Sequence, residues 1–291
     1  MIEGIEGPAT SQRRGWRRHR LQTLPLRFRL GVGGVSLTLL AAFVLPPLMT
    51  LNPYTMNANM ILVHPSLMNP MGTDLYGRSV LARVLVGMQV SYEIGVTVAL
   101  LTLVAGGVLG LVLGFRSGGL DAVTMRIMDA FMAIPSVMLA LAGATVLGPG
   151  IANTIIVLSI FFLPRTVRVM RSAVMAVRNA EYLDAARAYG TGPARILFRH
   201  VLPNALSPLV IQQTFILAYA VLGEATFSFI GVGTPPPTPS LGNVLTEAQQ
   251  VIFQAPWLAV FPGVAIALIV VSVNLLGDGI RDLLDVRLRG I

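Results

Sequence analysis

Six stretches of mostly apolar residues dominate the chain, at roughly Leu30–Met49, Ser91–Phe115, Ala122–Leu147, Ile151–Val169, Leu206–Ile230 and Pro256–Leu276. A helix rises about 1.5 Å per residue, so about 20 such residues cross a hydrocarbon core about 30 Å thick. The pattern predicts an all-α membrane protein with six transmembrane helices. Composition agrees: 54% of the 291 residues are hydrophobic and 12% charged, against roughly a quarter charged in soluble chains.

The distribution of arginine predicts the orientation, because short cytoplasmic segments collect positive charge. Seven arginines, Arg13, Arg14, Arg17, Arg18, Arg20, Arg27 and Arg29, precede the first span. Arg116 and Arg126 lie between spans two and three, a further seven from Arg165 to Arg199 around the segment joining spans four and five, and Arg281, Arg287 and Arg289 in the tail. The other side keeps only Arg78 and Arg83. Both termini are expected to be cytoplasmic. The N-terminal arm, residues 1–29, reads as a basic tail that attracts anionic headgroups, at roughly 1 kcal/mol per residue near the surface. Arg13 and Arg14 lie too far from the apolar run for a twin-arginine export signal, and no small-residue cleavage site follows.

Two absences exclude whole classes of chemistry. All 21 basic residues are Arg and none is Lys, so there is no P-loop lysine, no kinase lysine and no Schiff base. There is no Cys, hence no disulfide, thiolate metal site or thiol nucleophile. His19, His64 and His200 are scattered without carboxylates at ligand spacing, so no metal site is expected. No GxSxG elbow or HExxH pair is present. The chain is expected to have no catalytic residues, and any energy source must sit on a partner.

The segment between spans four and five is the most informative. Asn179 is placed to N-cap a short helix carrying Glu181, Tyr182, Asp184, Ala185, Ala186 and Arg187, and Gly190 to end it. Thr191 is placed to cap a second helix with Pro193 in its first turn, ending at Leu202 and Pro203. Tyr182, Ala186 and Tyr189 share one face, and the small alanines keep the helix slim enough to enter a groove. The pattern fits either a plug for a partner's cleft or an amphipathic connector resting on lipid.

Asp184-Ala185-Ala186, Gly190 after three intervening residues, and the run His200-Val201-Leu202-Pro203 resemble the Glu-Ala-Ala loop of the membrane subunits of binding-protein-dependent ABC importers. Asp184 stands where that motif has Glu, and His200 where it has an aliphatic residue. The segments Gly72–Arg78, Glu224–Gly231, Pro236–Ser240, Ala255–Trp257 and Asn274–Asp278 are similar to the C-type permease subunit of dipeptide and oligopeptide transporters. Ser79 departs from that pattern, where Asp is common. The resemblance implies a type I ABC importer permease fold, with residues 30–71 forming the first helix and an outer segment and residues 72–291 the permease domain. Residues 179–204 would be its coupling hairpin. It further implies a homologous second permease, two cytoplasmic ABC ATPase domains holding ATP and Mg, an extracytoplasmic solute-binding protein, a bacterial plasma membrane and alternating access. No cofactor on this chain and no nucleic-acid partner are implied. A bulky residue at Gly190 should uncouple hydrolysis from uptake, and cysteines at Gly190 and Ser240 should label from inside and outside respectively. The competing readings are a transporter or channel acting without ATP and an intramembrane enzyme. Against the first, there is no duplicated half with matched broken segments and no ring of charge.

Four further readings concern single segments. Val80, Leu81, Val84, Leu85 and Met88 fall on one face and suggest an amphipathic helix at the outer interface, with a plain extension of span two as the alternative. Contact with a docked binding protein is expected there, near Arg78 and Arg83, and along Thr234–Ser240 with Pro237 and Pro239. Gly106, Gly110 and Gly114 recur every four residues and predict close helix packing. Of the acids in or near spans, which include Glu93 and Asp278, Asp129 is expected to pair with Arg126 one turn away, with a translocation role as the alternative. Glu224, with no sequence-near arginine, is a candidate for gating, inter-subunit contact or a satisfied packing role.

Overall fold

The structure is a computed structural model that describes residues 24–49, 52–116 and 118–288; side chains are described to residue 284. Most of the basic N-terminal arm, with Arg13 to Arg20, and Arg289 of the tail lie outside the described residues, as does the side chain of Arg287. Among the described residues five helices are long and apolar enough to cross a membrane: α1 (Leu26–Phe43), α3 (Val80–Arg116), α6 (Ile151–Arg178), α9 (Leu202–Phe229, preceded without a break by Pro193–Val201) and α11 (Trp257–Leu288). The short α2 (Leu45–Leu48) follows α1, and α10 (Leu241–Gln250) precedes α11.

The third expected span is not one rod. It divides into α4 (Gly119–Met132) and α5 (Ser136–Leu147), which meet at 91°. Pro135 cannot donate to the preceding turn and pushes Ile134 out of helical geometry, so the chain turns instead of continuing. The amphipathic interfacial helix is likewise absent among the described residues. Val80 opens the unbroken 37-residue α3, and Val80, Val84, Leu85 and Met88 are buried with Leu241, Val244, Trp257 and Leu258 beneath α10 and the start of α11. One apolar face reads the same in lipid and in protein, and the protein cover lies more than 150 positions away in sequence.

Helices α3 and α6 form the central pair, running side by side in the same direction. At Gly106, Gly110 and Gly114 a Cβ would come within 2.8 Å of Thr166, 2.6 Å of the Val167 carbonyl and 2.8 Å of the Arg171 carbonyl. Only glycine permits that approach, as the four-residue spacing predicts. Helix α1 runs antiparallel to α11, with Gly31 against Leu276 and Gly34 against Ser272. The bundle therefore has two ends. One gathers the start of α1, the end of α11 and the connection from α6 to α9; the other gathers residues 52–79, Gly148–Gly150 and Gly231–Pro256.

Ion pairs fasten α4 to α6. Arg171 donates to both Asp121 oxygens at 2.6 Å, and Arg168 donates to Asp129. Asp129 thus pairs across the helix interface and not with Arg126, because the α4–α6 packing brings a better-directed guanidinium to it than the neighbouring turn does.

Candidate functional site

The hairpin joining α6 to α9 begins as α6 ends at Arg178. Arg178 donates to the carbonyls of Gly114 and Phe115, tying the last turns of α6 and α3 together. Asn179 caps the C-terminus of α6, and Ala180 precedes the hairpin helix α7 (Glu181–Ala188). The expected Asn179 N-cap is thereby corrected by one residue, because α6 runs farther than its apolar core. Glu181 and Asp184 lie in the first turn of α7, where the helix dipole favours negative charge.

Helix α7 ends in a Schellman motif. The Gly190 N–H reaches the Arg187 carbonyl at 2.9 Å, the Thr191 N–H reaches Ala186 at 3.1 Å, and Gly190 has φ +76°. The chain then enters α8 (Pro193–Ile196), with Gly192 and not Thr191 at its start. A five-residue π-helical turn, Leu197–Val201, leads straight into α9. The second hairpin helix therefore does not stop at Leu202 and Pro203. Pro203 follows directly on the π turn, inside a helical run that continues from Pro193 to Phe229.

The hairpin has an inner and an outer face. Leu183 is fully buried with Met170, Val174, Ile196, Val201 and Leu209. Tyr182 and Tyr189 are 50% and 91% exposed. Ala185, Arg187 and Gly190 are exposed and Ala186 half-buried. Asp184 and Arg187 pair at 2.5 Å in the open. His200 is half-buried, its ring 6.5 Å from that of Tyr182. One apolar side chain thus roots a short helix whose outward surface is two tyrosines, small residues, the Asp184–Arg187 pair and the carboxylate of Glu181.

At the other end lies a closed charge cluster. Asp74 accepts from the Tyr76 and Arg78 N–H groups, from Arg78 Nε at 2.6 Å and from Arg83 Nη1 at 2.6 Å. Glu247 on α10 accepts from Arg78 Nη2 at 3.0 Å and from Arg83 Nη2 at 2.8 Å. Arg78 and Arg83, expected near a docked partner, are only 8% and 3% exposed. Nothing in the reading of motifs pointed to Glu247. A signal existed nonetheless: it is the sole charged residue from Gly231 to Ala255, opposite the sole arginines of that side.

Glu224 is fully buried and accepts hydroxyl hydrogen bonds from Ser91 at 3.1 Å, Ser228 at 2.8 Å and Thr234 at 3.4 Å. It links α3, α9 and the Pro-rich loop. Within that loop Pro237 is exposed and Pro239 buried. Ser240 is also buried and N-caps α10, accepting the Asn243 N–H. Ser240 is therefore a poor labelling position and Pro237 a better one. No group of three metal-ligating residues occurs among the described residues.

Fold and site together define a polytopic helical membrane protein with a rooted, aromatic hairpin between α6 and α9. The chain belongs to the family of binding-protein-dependent transport system inner membrane components, whose model matches residues 106–290. It is 42% identical over 219 residues to a di/tripeptide transport system permease protein of Pseudomonas aeruginosa, covering 75% of this chain and 72% of that one. It is 35% identical over 266 residues to a dipeptide transport system permease protein of Haemophilus influenzae, covering 89% and 90%. In fold it is similar to an inward-facing structure of the MetNI methionine ABC transporter, with a TM-score of 0.56 at 21% identity over 66% of this chain and 91% of that one. The fold is that of a type I ABC importer permease.

Proposed function

We propose that the chain is one of two permease subunits of an ATP-driven importer of short peptides in a bacterial plasma membrane. The hairpin end and both termini face the cytoplasm, in keeping with the arginine distribution. The second permease is a homologue. Two ABC ATPase domains hold the ATP and Mg, and a solute-binding protein delivers the peptide to the opposite end. This chain contributes no catalytic group and binds no cofactor. The observation that carries the reading is the rooted hairpin: α7 is joined directly to α6 and, through Pro193–Val201, to α9. Closure of an ATPase pair around the two hairpins would move these helices as packed bodies, switching the path between inward-open and outward-open forms.

Reconstitution of the complete transporter tests this. ATP-dependent uptake of a labelled tripeptide is expected, and none without ATP. Tyr189→Ala should lower uptake about tenfold or more, while thermal stability stays within about 0.5 kcal/mol, because the ring is 91% exposed. Uptake equal to wild type would overturn the role given to the hairpin. Uptake without ATP would favour the transporter or channel reading. Since the chain has no cysteine, Gly190→Cys should react only from the cytoplasm and Pro237→Cys only from outside; the reverse pattern would overturn the orientation.

A further inference from the structure

Arg165 lies near the middle of α6, fourteen residues and so roughly 21 Å from Ile151. A cation at that depth is unfavourable against lipid and needs water, protein or a ligand. Arg168 and Arg171, one and two turns on, are paired with Asp129 and Asp121. Among the described residues Arg165 has no carboxylate within ion-pair distance; its guanidinium lies over the Tyr219 ring at 5.8 Å.

The same two residues line a cavity of about 360 Å³ between α6 and α9, together with Ser136, Phe161 and Thr226. A smaller recess of about 110 Å³ shares Arg165 and Phe161 and continues to Met132, beside the α4–α5 bend. The lining is mostly apolar, with Leu158 and Leu222 beside the aromatic rings, and carries two hydroxyls and one cation, a mixture that fits an amphipathic molecule with an apolar body and an anionic group. Among the described residues the Arg165 N–H groups donate to no protein acceptor, and a guanidinium matches a carboxylate in two-point geometry.

We infer that the Arg165–Tyr219 groove contacts the carboxylate of the transported solute midway along its route. The inference rests on the import reading above and adds a chemical class: an organic acid with an apolar body, such as a peptide with a free C-terminus. The groove makes the permease itself selective, beyond whatever the delivering protein selects.

The test uses the complete reconstituted transporter with saturating trialanine or trialanine amide. Arg165→Gln should lower the acid-to-amide uptake ratio about tenfold, the size expected for a lost charge-assisted contact. Because one ratio is divided by another, the delivering protein's own preference cancels. Arg165→Lys should recover part of the ratio. An unchanged ratio in Arg165→Gln overturns the inference, as does an equal loss for both probes accompanied by loss of the second permease on purification, which would mean that Arg165 pairs with that subunit.

A second measurement leaves Arg165 in place and needs no transport. Thr226→Cys in the assembled complex should react about tenfold faster with a sulfonate-bearing methanethiosulfonate than with a trimethylammonium one, relative to a free thiol. Arg165→Gln should abolish that preference. Reaction with neither reagent, or no preference, overturns the inference. Import of neither probe by the wild-type complex overturns the peptide reading instead, and the thiol comparison still decides whether an anion contact exists.

Discussion

Where α3 begins, two buried arginines and the buried Asp74 join a half-buried Glu247 and bind three separate segments; at the hairpin, charge lies open and a single leucine roots the helix. The first arrangement tolerates no missing partner, because a buried charge left alone costs far more than the pair contributes. The second is held by burial, which is graded and non-directional, and by hydrogen bonds to backbone carbonyls, including Arg187 to Arg178, with no buried charge pair. One end is therefore built to keep its shape, while the other can flex or be gripped without breaking a charge network.

Removing Asp74 should have the largest effect on this contrast. Asp74→Ala leaves Arg78, Arg83 and two backbone N–H groups without their acceptor, and about 3–5 kcal/mol of stability should be lost. Thermal melting of the purified protein would measure it, and a loss under about 1 kcal/mol would show that water reaches the cluster. Leu183→Ala should cost about 2–4 kcal/mol, but locally. Hydrogen exchange should rise across residues 179–203 and remain unchanged across 72–90; a rise at both ends would mean that the two are one cooperative unit. Gly110→Leu should cost roughly 1–3 kcal/mol or more, since the new side chain meets the Val167 carbonyl, and should loosen the tie between the ends. Asp184→Asn should change stability by less than about 0.5 kcal/mol, the pair being exposed. A larger loss would place that pair among the structural ones.

The spans were legible in the sequence because lipid imposes a length and an apolar composition that few other settings demand. The hairpin was legible as well, through Gly190, whose Schellman cap is a local device written in adjacent residues. The break at Pro135 was not. Pro164, Pro208 and Pro262 lie inside helices that continue, so proline alone does not separate a kink from a turn. Glu247 and the Asp121–Arg171 and Asp129–Arg168 pairs were missed for a different reason. Their partners lie 39 to 169 positions away, and no periodicity reports such distances. Arg165 was read as part of the cytoplasmic charge, because its counting side is fixed by where a helix ends, and α6 runs to Arg178.

The glycine stripe between α3 and α6 has a mechanical consequence. Two backbones laid against each other at Gly106, Gly110 and Gly114 have no side-chain cushion to absorb displacement. Helix α3, at 37 residues, reaches roughly 55 Å, from the charge cluster to the collar that Arg178 places around its last carbonyls. Contact this close favours displacement of the two helices together, as one packed body, over sliding of one past the other.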